Sequence, residues 1–305
     1  MLGDQELLEL NDQGFVPGPS EDEASFLKRV ELTRLLSKNP EAVLAQPNAV
    51  LSDEWQKKLP FRLKEKLKKP DLSWVNCQLM HLYGFYAESF PAYFSNEKLA
   101  FFEGAATFTV PVQNHFLPLL QLRKELKGGA FWAFYKLEEI LAHELVHFLR
   151  SAFQEAVFEE HFAYLTSQKI LRRYFGPLLR STKEGMFFLG LLLLGLVLQG
   201  SRLFIGLQAL AALSYLSYSG ALALFSLGLW RLIKTRRIFV LCLKQLKSCL
   251  GDKALPLMVR LTDGEIGAIA KMRPASLEAY FQEQKAKDRS LRWKVLVLAY
   301  LSNRH

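Results

Sequence analysis

His143, Glu144 and His147 fall together in the run LAHELVHFLR. On an α-helix, residues i and i+4 share a face, so both imidazoles can reach a single ion at about 2.0–2.1 Å. Glu144, one position round the helix from His143, can reach a water beside that ion without ligating it. Two neutral nitrogens on Zn²⁺ with one carboxylate as general base is the hydrolytic division of labour that an HExxH spacing supplies. Ile140, Leu141, Leu145, Val146, Phe148 and Leu149 are apolar and no glycine or proline interrupts them. The run therefore predicts a buried helix, in which two histidines and a glutamate without partners would be costly. A catalytic zinc takes three protein ligands, so one more must come from outside this run.

Further along stands Glu159-Glu160-His161-Phe162-Ala163. Residues 137–167 resemble the gluzincin clan of zinc metallopeptidases, which carry HExxH on one helix and a ligating glutamate on a following helix, often in the setting E-G-F-A. Here His161 stands at the glycine position. The resemblance implies a zincin-like domain, a small sheet plus an active-site helix, with one Zn²⁺ per chain and a peptide or protein substrate. It implies Glu160 as third ligand, with Glu159 as the alternative, and Glu144 as general base. It also implies an edge strand, among the aromatic strands between Phe90 and Val110, against which substrate hydrogen-bonds.

Twelve residues separate His147 from Glu160. A straight helix would carry residue 160 about 20 Å along its axis from His147, so the chain must reverse near Ser151 to Glu155, although no glycine or proline marks the turn. Other residues have two readings each. Tyr164 and Arg150 are oxyanion stabilisers or structural. Glu139 is a second acceptor for His143 or a surface charge. His161 is a proton donor or chemically silent, Glu155 is a weaker ligand, and His81 and His115 are structural.

The elements that position these groups include a membrane anchor. Gly185 to Ser201 carries no charge over 17 residues, and Leu203 to Trp230 none over 28. A spanning helix needs about 20 apolar residues, which predicts two helices joined by a turn near Gln199 to Arg202. Lys169, Arg172, Arg173, Arg180 and Lys183 precede the pair, and Arg231, Lys234, Arg236 and Arg237 follow it. The positive-inside rule then places both termini and the active site in the cytoplasm, as for an integral protein of a bacterial inner membrane. Much of the net charge of +9 is thereby membrane flank, so lipid bilayer is the expected partner and nucleic acid is not. The acidic opening MLGDQELLELNDQ lacks the pattern of a signal peptide. Three cysteines, Cys77, Cys242 and Cys249, make no disulfide framework and fit a reducing compartment.

The expected fold class is α+β in four regions: an N-terminal helical region (1–55), the zincin-like domain (56–183), the transmembrane hairpin (185–230) and a C-terminal helical domain (231–305). Ser20 to Glu23 is a helix start, and Asn39-Pro40 stops that helix and opens another. FRLKEKLKKPDLSW reads as a basic amphipathic turn or two. From Phe85 aromatic and β-branched residues predict two or three strands, with Gly104 a bend. Thr262-Asp263 and Pro274 start later helices. A membrane-anchored zinc metallopeptidase is the leading functional reading. Its competitors are an intramembrane protease, disfavoured by Lys136, Glu138 and Glu139 just before His143, a non-enzymatic membrane scaffold with a structural or degenerate metal site, and a di-iron bundle, which lacks a second E-x-x-H.

Overall fold

The chain is described by a computed structural model covering residues 2–40, 59, 61–63, 65–68, 71–112, 115–132, 135–179, 181–287 and 290–302. It is α+β, with a three-stranded sheet and a two-stranded hairpin among many helices in the described residues. Helix α1 (Asp4–Asp12) precedes α2 (Glu23–Lys38), whose N-cap Asp22 accepts from the Ser25 amide and whose end is Asn39, at the start and stop residues of the sequence. The helix expected after Pro40 lies outside the described residues.

The basic segment after Phe61 corrects an expectation. Its described residues pair as extended chain instead of forming an amphipathic turn or two: Lys66 bridges Tyr93, the Leu67 amide donates to the Ala92 carbonyl at 2.9 Å, and the Phe94 amide donates to the Glu65 carbonyl. The backbone bonds of a strand outweigh the helical charge pattern here. Helix α3 (Ser73–Tyr83) begins only afterwards.

Strands β1 (Ala92–Phe94), β2 (Ala105–Val112) and β3 (His115–Leu122) form a sheet in the order β1-β3-β2. β1 runs parallel to β3 and β2 antiparallel to it, in the register Ala105↔Leu122 to Val112↔His115. β2 is therefore an edge strand. The chain bends into it at Gly104, where a Cβ would come within 2.6 Å of Ile140 Cδ1, so a side chain there would have to displace the tip of Ile140. A short hairpin, β4 (Ala130–Phe131) and β5 (Tyr135–Lys136), leads into α4 (Leu137–Arg150).

Helix α4 buries Ile140, Leu141, Leu145, Val146, Phe148 and Leu149 as its apolar periodicity requires. It ends in a single tight turn, Ser151–Phe153, and the chain reverses at Gln154, which adopts the left-handed conformation at φ 54°. This is the reversal that the spacing demanded. A non-glycine residue tolerates the region at some cost. The return leg is α5 (Glu159–Leu165), followed by the short α6 (Ile170–Phe175).

Two long helices come next. α7 (Thr182–Ile205) is capped by Ser181, and α8 (Gln208–Leu250) is 43 residues long, about 64 Å at 1.5 Å per residue. They turn at Gly206, whose φ of +74° ends α7, and not at Gln199 to Arg202 as the charge of Arg202 suggested. One arginine in the last turn does not break a helix, whereas a left-handed glycine does. Both helices are long and apolar enough to cross a membrane. Leu196, Val197, Leu216 and Leu222 are each more than 60% exposed, which water does not tolerate over so wide a surface. The helices pack antiparallel through small and polar contacts, such as the Ser217 hydroxyl on the Leu191 carbonyl at 2.6 Å. This pair indicates association with a membrane.

Past Trp230, α8 continues without a break, and Leu232, Phe239, Cys242 and Leu246 are buried. Helices α9 (Ala254–Met258), α10 (Asp263–Ile269), α11 (Pro274–Lys287) and α12 (Leu291–Leu296) follow. Thr262 and Glu265 form a reciprocal capping box at α10. One hydrophobic cluster joins Leu7 of α1, Leu145 of α4, Phe162 of α5, Phe239 of α8 and Trp293 of α12, so the long helix is packed into the body that carries the histidines.

Candidate metal centre

His143 and His147, one turn apart on α4, point into a cleft, and α5 brings Glu160 opposite them. The two Nε2 atoms stand 3.2 Å apart. Glu160 Oε2 is 3.7 Å from His143 Nε2, and Oε1 is 3.6 Å from His147 Nε2. One ligand atom from each of the three residues lies within 4.8 Å of the others, and the trio could hold a metal ion.

Hydrogen bonding fixes what each donor offers. His147 Nδ1 lies 2.9 Å from Glu159 Oε1, so that carboxylate accepts the ring N–H and turns the Nε2 lone pair toward His143. The His143 ring bonds the Ala163 backbone. Its Nε2 faces His147, which leaves Nδ1 for that bond. Two lone pairs and a carboxylate thus converge on one point, an arrangement that is repulsive unless a cation or proton sits there. A carboxylate behind a ligand histidine is also the usual outer-shell partner in metal sites. The donor set and its geometry fit Zn²⁺.

Burial favours the neutral ring at both histidines. At His143 the neighbouring His147 and Arg172 act in the same direction, and the pKa falls well below its ordinary value. At His147 burial is outweighed by the hydrogen bond to Glu159 and the charges of Glu160, Glu159 and Glu144, which raise it to about 10. A metal ion at these residues therefore competes with a proton on His147.

Glu144 is buried on the same helix, and burial pushes its carboxyl up to about 7 against the hydrogen bond from Thr107 and the charge of His147. The Thr107 hydroxyl donates to Glu144 Oε2 at 2.7 Å, which leaves Oε1 for the cleft. Thr107 was not singled out by sequence. Its only signal was its place in the strand LAFFEGAATFTV, one residue of many. Tyr164 lines the cleft with its ring edge-on to His143 at 4.6 Å between centroids. Burial raises its pKa, so the phenol stays protonated and can donate.

The cleft is a cavity of about 590 Å³ that runs from the histidines along Ala105 to Thr109 of β2 and out to Phe102, Leu179 and Gly185 at the start of α7. The remaining sequence candidates lie elsewhere in the fold. Glu139 is buried and accepts from the Gln168 amide at 2.7 Å and from Arg172 at 3.2 Å, so it is neither a partner of His143 nor a surface charge. His161 is buried against α8, with Nε2 2.8 Å from Thr235 Oγ1 and its ring on Phe239. The Glu155 carboxylate accepts from the Asp263 amide at 2.6 Å. His81 and His115 stand apart from the centre.

Arg150 is fully buried away from the cleft. It donates to the Val259 and Leu261 carbonyls at 2.8 and 2.9 Å and to Asp263 at 3.1 Å, between the rings of Phe153 and Phe162. Arg150→Met strands these acceptors, and we expect a stability loss of roughly 3–5 kcal/mol, the range for breaking a buried pair. Thermal unfolding of the reconstituted protein reads it, and an unchanged midpoint contradicts the assignment.

Comparison of the chain with protein-family models, curated proteins and solved structures returns no match.

Proposed function

We propose that this chain is a membrane-anchored, zinc-dependent metallopeptidase of gluzincin type, built on a zincin-like domain whose site faces the cytoplasm of a bacterial cell. The observation that carries the reading is the convergence of His143 Nε2, His147 Nε2 and the Glu160 carboxylate, with the Glu144 carboxylate beside them and a strand edge along the cleft. His143, His147 and Glu160 would hold the metal. When bound, it supplies Lewis acidity and lowers the pKa of water in the site.

The chain's own groups supply the rest. Glu144, held by Thr107 through Oε2, is placed to take a proton from the attacking water at Oε1 and return it to the leaving amine. A carboxyl with a pKa near 7 exchanges a proton readily at neutral pH. Tyr164, kept as a phenol, is placed to donate to the oxygen that gains charge. The edge of β2, whose other side is paired with β3, offers backbone groups along Ala105 to Thr109, paired with no second strand among the described residues, to an extended peptide. Glu159 orients His147 and is assigned no place among the ligands.

The test is cleavage of a fluorogenic peptide library by protein reconstituted in lipid nanodiscs. We expect turnover that a chelator abolishes and added Zn²⁺ restores. A preparation that holds zinc yet cleaves nothing at any library position favours the membrane scaffold instead.

A further inference from the structure

We propose that the metal-bearing body docks onto the bilayer through an aromatic and basic patch around the start of α7, so that the cleft opens at headgroup depth. The proposal rests on the membrane reading of α7 and α8 and not on the peptidase reading. Phe102 anchors the patch: its ring lies 3.5 Å from where a Gly185 Cβ would sit, in the first turn of the apolar helix. Phe101 stacks edge-on to Phe102 at 5.2 Å and stands 6.1 Å from Trp132. Phe101 is 57% and Trp132 50% exposed. Trp132 follows β4 at φ 51°, a conformation that bulky residues rarely hold. Such strain is retained where a side chain has work to do.

On the far side of the cleft, α6 presents a second apolar surface. Ile170 and Leu171 are 71% and 72% exposed, and Tyr174 and Phe175 about half. Phe175 lines the same cavity as Phe102 and Leu179. The Tyr174 ring carries the Arg236 guanidinium 3.7 Å above it, six residues beyond Trp230. Lys169, Lys183, Lys234 and Arg237 are exposed nearby in the sequence. Two acids stand at this border: Glu184 is held bidentately by Arg231 at 2.8 and 2.9 Å, and Glu103 accepts from the Thr182 hydroxyl and the Ala100 amide. The patch is therefore aromatic with more basic than acidic groups, the composition that settles in an anionic headgroup layer.

The occupant follows from continuity. The patch adjoins a helix whose own apolar face requires lipid, and a bilayer around α7 reaches Phe102 before any protein partner can. A chain entering the cleft from this side does so at the membrane surface.

Nitroxide accessibility tests this in full-length protein, in nanodiscs of equal parts phosphatidylcholine and phosphatidylglycerol. Cys77→Ser, Cys242→Ala and Cys249→Ser clear the background. Labels then go singly onto Phe101→Cys, Trp132→Cys and Leu171→Cys. Leu196→Cys in mid-α7 serves as the lipid reference. Ser248→Cys is the aqueous reference, 18 residues past Trp230 on the same helix and so about 27 Å away. We expect the ratio of oxygen to nickel-complex accessibility at 101, 132 and 171 to exceed that at 248 several-fold and to approach that at 196. A lipid-like ratio at 196 with water-like ratios at the three patch sites overturns docking while leaving the spans intact. Shielding of the patch labels from both reagents reports a protein partner and also overturns it. A water-like ratio at 196 removes the membrane reading itself.

Discussion

Glu144→Gln is expected to keep the metal and to lower kcat on a peptide substrate by about 10²–10⁴-fold, the usual worth of a positioned general base. The substitution preserves shape, and the Thr107 hydroxyl, which donates to Oε2 at 2.7 Å, can donate as well to an amide oxygen. What is lost is the proton-accepting Oε1. Because Glu144 is not one of the convergent ligand groups, metal stoichiometry should match wild type. KM should change little, since binding through the edge of β2 does not involve this group. Steady-state kinetics beside metal analysis of the same preparation checks both halves. Metal lost along with turnover would make Glu144 a ligand; full turnover would remove it from the chemistry.

The acidic pair gives the second large effect. Glu160 meets both histidine Nε2 atoms at 3.6 and 3.7 Å, while Glu159 meets only the outward Nδ1 of His147, at 2.9 Å. Glu160→Gln removes a charged ligand. Glu159→Gln removes only the acceptor that holds the His147 tautomer, a loss of about 10–100-fold in metal affinity for outer-shell partners. Glu160→Gln should cost more than that, with Glu159→Gln within it, in competition titrations against a chromophoric chelator. The opposite ranking exchanges the two roles.

These assignments show where the sequence was legible. His143, Glu144 and His147 needed only helical periodicity, since α4 is an unbroken apolar helix and spacing on such a helix is geometry. The preference for Glu160 over Glu159 came from the family resemblance and was not legible in the spacing alone. That choice depends on how α5 is rotated after the turn, and that rotation is set at Gln154, a residue with no marked preference for the left-handed conformation it adopts. A glycine there would have announced the reversal. The pair of long apolar helices was readable as composition, but its turn lies past Arg202, because Gly206 carries the left-handed conformation.

Long-range partners were invisible for a different reason. Thr107, the hydroxyl that holds Glu144, lies 37 residues before it. Arg150 bonds residues more than 100 positions away. The sequence left an oxyanion role and a structural role both open for it, and the C-terminal carbonyls it meets make it structural. The basic run after Phe61 failed through a competing local rule, as its backbone pairs with β1 and charge pattern alone cannot report an edge. The continuity of α8 through residue 230 is not legible, because the sequence changes from apolar to basic there while the helix does not change at all. That continuity couples the two regions: His161, next to Glu160 on α5, is clasped by Thr235 and Phe239 of α8, so the helix that carries Glu160 packs directly on the long apolar helix.

The central claim is tested most directly by metal content, measured by mass spectrometry on nanodisc-reconstituted protein purified without chelator, wild type beside His143→Ala. The account predicts one zinc per wild-type chain and none in the variant, because removing either of two convergent nitrogens leaves too few donors for a buried site. Wild-type protein with no metal, or a His143→Ala variant that retains its zinc, contradicts it.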